Sequence, residues 1–230
     1  IFEQNNGKIA DLNIYANIDC AVSQNLVVGV VAKQNNGTIQ DVSVGLTGAT
    51  IQNNNANANI LIGAIANQND GTIKGSAANF DIKVEGSQSG SLTIGGLVAI
   101  NNGQMLGNNN NYTYGNGVQN INAEGSISVN IAAAQSFVGG VAGANYGAIG
   151  SNNGYSIGQG FAVDLTIYAP QTDNVGGVVG QNEGQVTNCL VYASITAKQN
   201  VGGVAGQSAG SEALVQTCVV ELFENALAQN

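Results

Sequence analysis

The chain has 230 residues and a formal net charge of -9, with charged side chains at only 8% where a typical domain has roughly 25%. The five cations are all lysines (Lys8, Lys33, Lys74, Lys83, Lys198) and Arg is absent, so no basic stripe exists to neutralise phosphates, and nucleic acid is excluded as a partner. Hydrophobic residues at 43% argue against disorder, and Gly interrupts every apolar run well short of the roughly 20 residues of a spanning helix, which excludes membrane insertion.

The chain opens on IFEQNNG, a truncated copy of a ten-residue phrase that returns along the sequence. Full copies are VGVVAKQNNG (Val28 to Gly37), IGAIANQNDG (Ile62 to Gly71), IGGLVAINNG (Ile94 to Gly103), VGGVAGANYG (Val138 to Gly147), VGGVVGQNEG (Val175 to Gly184) and VGGVAGQSAG (Val201 to Gly210). The closing glycines are spaced 30, 34, 32, 44, 37 and 26 residues apart, so loops of variable length separate constant units. Two residues beyond the closing Gly an apolar residue returns (Ile9, Ile39, Ile73, Met105, Ile149, Val186), slipping by three to Val215 in the last copy.

Alternating apolar and polar residues follow, the signature of a half-buried strand. DLNIYANI and NCLVYASI superpose without a gap, placing Ile14 on Val191, Ala16 on Ala193 and Ile18 on Ile195. One such unit cannot bury its apolar face, whereas stacked units can, each supplying backbone hydrogen bonds to the next. The fold class is therefore all-β: a parallel β-helix, or β-solenoid, of about seven irregular coils, forming a single repeat domain over residues 1–230. Seven coils at about 4.8 Å each make a rod on the order of 34 Å long.

Within the phrase, paired glycines such as Gly139-Gly140 predict a bend or a close backbone approach. The Asn two residues before the closing Gly (Asn5, Asn35, Asn69, Asn101, Asn145, Asn182; Ser208 in the last copy) predicts a stacked amide ladder, with the closing Gly supplying positive φ for the turn. The GNNNNYTYGNG stretch (Gly107 to Gly117) falls outside the phrase and reads as a surface loop. Residues 211–230 read as a C-terminal capping segment, in which Val219, Leu222, Phe223 and Leu227 follow a helical spacing.

The phrase VGGVVGQNEGQVTNC closely resembles the GLUG motif, a glycine-rich repeat of bacterial and some eukaryotic surface proteins that also occurs beside the catalytic domain of immunoglobulin A peptidases. The resemblance covers nearly the whole chain and is strongest over residues 138–210. It implies a β-solenoid in a secreted or surface-anchored protein and no chemistry of its own. The Asn and Gln richness departs from the family norm.

No His occurs, which removes His-based triads and nearly every catalytic zinc site; no catalytic, cofactor or metal residue is assigned, and no enzyme is expected. The acids are scattered singly, apart from Glu221 and Glu224. Cys189 and Cys218 each lie three residues beyond equivalent apolar positions, so adjacent coils bring them together and a disulfide between them is allowed; Cys20 has no partner and is expected as a buried free thiol. N-x-[ST] glycosylation signals occur at Asn36 and Asn111, the latter in the loop.

The chain opens at Ile1 in mid-phrase without Met or signal peptide, and so reads as processed or cut from something longer. Ile1 and Phe2 form an open edge that more of the same polypeptide, or a second subunit stacked head to tail, is expected to cover. The function expected is that of a non-catalytic structural or adhesive solenoid at the cell surface or outside the cell, part of an adhesin or filament. The alternative is a glycan-binding module that stacks sugars on Tyr15, Tyr112, Tyr114, Tyr168 or Tyr192.

Overall fold

The computed structural model describes residues 1–107, 122–150 and 160–223, with the backbone of 227–228. The fold is all-β, and its paired strands run parallel throughout. Seven four-residue strands, Phe2–Asn5, Ala32–Asn35, Ala66–Asn69, Val98–Asn101, Ala142–Asn145, Val179–Asn182 and Ala205–Ser208, form one wall in which chain order is spatial order. This is the β-solenoid of seven coils that the repeat predicts.

The second wall is built from the alternating segments, led by Lys8–Val22, Thr38–Asn53, Ala77–Gly86, Ala123–Val129, Ala162–Gly176 and Leu190–Gly202. Alternation decides which side chains point inward: in Ala77–Gly86, Ala78, Phe80, Ile82 and Val84 are buried, while Asn79, Asp81 and Lys83 face out. One column runs unbroken through the stack, from Ile14 through Val44, Ala78, Ala123, Val163 and Val191 to Val220. Ile14 and Val191, matched from sequence, are therefore one column.

The glycine pairs fit the close-approach reading. A Cβ on Gly139 would lie 2.1 Å from the carbonyl oxygen of Ala142, and one on Gly140 would lie 2.2 Å from a methyl of Leu165. Closing glycines answer to the same constraint rather than to positive φ, which among them only Gly210 adopts. A Cβ on Gly147 would stand 2.1 Å from the oxygen of Gly103 in the preceding coil, whereas Gly7, with no coil beneath it, has nothing within 4 Å. The expected turn role is thus corrected: the residue is small so that backbones can stack.

The left-handed corner falls four residues later, at Asp11 (φ 55°), Asp41 (53°), Gly75 (59°) and Asn188 (54°), and, after the slip of three in the last copy, at Thr217 (55°). Asp and Asn tolerate that region through local hydrogen bonding, but a β-branched Thr there is strained.

Where it is described, the C-terminal segment is strand, not helix. Leu214–Gln216 and Val219–Leu222 pair with Gln185–Thr187 and Leu190–Gly202 as the seventh coil, and Leu227 pairs with Thr196. The unpaired edge of Leu190–Gly202 offers a hydrogen bond to alternate residues, and the β-branched Val219 and Val220 suit it better than a helix. Leu214, Val215, Val220, Leu222 and Phe223 remain exposed, so the described part of this segment adds a coil and leaves its outer edge open.

Candidate functional site

Beneath the turn that ends each phrase lies the asparagine ladder. Each amide nitrogen donates to the side-chain oxygen of the next coil's Asn: Asn5 to Asn35 and Asn35 to Asn69 at 2.7 Å, then Asn69 to Asn101, Asn101 to Asn145 and Asn145 to Asn182 at 2.8 Å. The ladder is buried, and these bonds fix the height of each turn over the next.

Outside the ladder the closing glycines stack into a strip without side chains. Over Gly103, Gly147 and Gly184 this strip floors a shallow groove of about 390 Å³. Asn102 and Tyr146 stand on one side, Gln104, Ala148 and Gln185 on the other, and Glu212 reaches in from the last coil. Floor and walls are held by the rungs themselves: Tyr146 N–H donates to the carbonyl of Asn101 (2.7 Å), Ala148 N–H to Gly103 (2.9 Å) and Gln185 N–H to Gly147 (2.8 Å). Asn102 donates its amide to Asp70 (2.7 Å). Partial burial of Asp70 is outweighed by this bond and by donations from Gln34 and Gln68, which hold its carboxyl below the usual range. Burial and the nearby Glu183 push the Tyr146 hydroxyl up.

Tyr146 was not among the aromatic residues singled out from sequence. Of those that were, Tyr15 and Tyr192 occupy one outward column of the long-strand wall, separated by Gly45, Asn79, Glu124 and Asp164. Tyr192 stacks on Phe223, with ring centroids 6.4 Å apart. Tyr168 sits one strand away but level with Thr196, so these rings do not share a platform. Tyr112, Tyr114, Asn111 and Glu224 lie outside the described residues. Asn36 is exposed at its turn and donates to Asn6 (2.8 Å).

Register also sets Glu124 beside Asp164 on adjacent strands, a pairing invisible in a sequence where they stand 40 positions apart. Both are exposed on a flat strand face, and Glu221 continues the same column beyond Tyr192.

Cys189 and Cys218 stand opposite one another in the sixth and seventh coils, each preceding a residue of the Leu190–Val219 pair. Both are free thiols, Cys189 fully buried and Cys218 half-buried at the outer edge. The hydrogen bond between them lowers Cys218 to about 7 against the cost of its burial, while the same bond and burial raise Cys189. Cys20 is free but only half-buried, a correction to the expected buried thiol: its strand belongs to the first coil, which has a neighbour on one side only. Partial burial and the adjacent Asp19 raise its pKa.

Compared with known proteins, the chain matches no family model, no curated protein and no solved structure.

Proposed function

We propose that this chain is a non-catalytic structural and adhesive segment of a secreted or cell-surface protein, a stiff rod that further coils extend at its end faces. The observation that carries this reading is the chemistry of those faces. At one, Ile1 and Phe2 are 70% and 46% exposed, and the core-facing side chains from Ile9 to Cys20 are only half-covered. At the other, among the described residues, Val220, Leu222 and Phe223 are exposed along the seventh coil. Unpaired strand edges flanked by apolar side chains recruit other strands. A coil continuing the register satisfies them, whether it belongs to the same polypeptide or to a second copy stacked head to tail, a contact that propagates into filaments.

Further support comes from composition. With charge at 8%, little repulsion opposes such stacking, and five lysines without Arg leave few cleavage points for trypsin-like proteases outside the cell. The resemblance to GLUG repeats agrees with a surface location.

Light scattering on residues 1–230 over a range of concentrations tests the proposal. Concentration-dependent oligomers that dissociate on Phe2→Lys are expected; a monomer at every concentration overturns the assembly reading.

A further inference from the structure

Three departures from the repeat meet at one place. In the column outside the ladder the successive residues are Asn6, Asn36, Asp70, Asn102, Tyr146, Glu183 and Ala209, so Tyr146 is the single aromatic in it. Across the glycine strip the column reads Lys8, Thr38, Thr72, Gln104, Ala148, Gln185, and the smallest member faces Tyr146. Finally, the slip of three residues after Gly210 inserts Ser211–Ala213, which carries Glu212 into the same groove. Folding calls for none of the three: Tyr146 is 47% exposed, Glu212 is exposed, and neither belongs to the core.

We propose that this groove binds a neutral saccharide. The exposed ring of Tyr146 offers an aromatic face to the C–H side of a pyranose, and Ala148 leaves room opposite. Amides of Gln104 and Gln185 offer a donor and an acceptor each, and the Glu212 carboxylate accepts from a pair of hydroxyls. Asn102 is oriented beforehand by its bond to Asp70, so its ordering does not oppose binding. The floor carbonyls of Gly103, Gly147 and Gly184 are spent on the rungs above them, leaving a flat, side-chain-free bed. At about 390 Å³ the space lies at the small end of ligand sites. Glu212 and the net charge of -9 disfavour phosphorylated, sulfated or acidic sugars. The groove follows the stacking direction, which suits a stretch of a linear glycan running along the rod. The site stands independently of whether the end faces assemble.

A glycan array probed with residues 1–230, followed by titration calorimetry on the best neutral oligosaccharide, tests the site. Tyr146→Ala is expected to weaken binding at least about tenfold. Ala148→Leu, which fills the groove, should do the same, while Tyr168→Ala on the long-strand wall leaves affinity unchanged. Far-UV circular dichroism and the thermal midpoint, alike in all variants, separate lost binding from lost fold. The proposal is overturned if no neutral saccharide binds, if binding survives Tyr146→Ala, if it depends on Tyr168, or if the groove takes a lysine-rich peptide in preference to sugar.

Discussion

Replacing Asn101 with Ala cuts the ladder at its middle. Asn101 donates to Asn145 and accepts from Asn69, both at 2.8 Å, and reaches the carbonyls of Gly103 and Ala148 at 3.3 and 3.4 Å. The two ladder bonds contribute about 1 kcal/mol each. Asn69 keeps a carbonyl partner in Gln104 at 3.2 Å, but the Asn145 oxygen is left buried without its donor, at a cost of about 1–3 kcal/mol. The sum is about 3–5 kcal/mol. Asn36→Ala removes one exposed bond to Asn6 and should change stability by less than about 0.5 kcal/mol. Urea unfolding followed by circular dichroism gives the comparison. Hydrogen exchange at the amides of Gly103 and Tyr146, which are bonded to Asn69 and Asn101, reports the local loss, since repeat arrays open in segments. Equal effects of the two substitutions, or a cost under about 1 kcal/mol for Asn101→Ala, would refute the view that the buried amides hold the coils in register.

Gly147→Ala should destabilise by about 2–3 kcal/mol, because its Cβ meets the Gly103 carbonyl at 2.1 Å, whereas Gly7→Ala meets nothing and should be neutral; thermal unfolding of the pair is the check. Thiolate is the nucleophile, so alkylation of Cys218 should rise with pH through about 7 instead of the ordinary thiol value of 9.0, with Cys189 protected; peptide mapping after iodoacetamide over a pH series would show Cys218 rising only near 9.0 if the thiols were independent. Glutathione disulfide should oxidise the pair, each thiol losing one hydrogen as two glutathiones are released. Closing a loop of about 30 residues should then stabilise the last coil by about 3–4 kcal/mol; mass mapping that joins Cys20 to either partner would contradict the register.

Sequence alone determined the repeat, the alternation and the identity of the columns. Ile14 could be matched to Val191, and the six ladder asparagines to one another, because a solenoid places equivalent residues of successive units side by side and the period is written in the chain. The GNNNNYTYGNG stretch stood out for the converse reason, as one without an equivalent in the other copies.

Tertiary structure decided what depends on neighbours in the stack. Val219, Leu222, Phe223 and Leu227 fit a helical spacing, but the open edge of Leu190–Gly202 supplies hydrogen bonds that keep the segment extended. The closing glycines looked like turn residues, yet the constraint on Gly147 is a carbonyl of another coil, which local pattern does not contain. Aligning residues 11, 41, 75, 188 and 217 as Asp, Asp, Gly, Asn and Thr would have exposed the left-handed corner. Tyr146 does break the phrase, standing where the other copies carry Asn, Asp, Glu or Ala, but the sequence does not show what surrounds it. Its setting arises because residues as far apart as Asn102 and Glu212 are folded to the same groove, and that convergence exists only once seven coils are stacked in register.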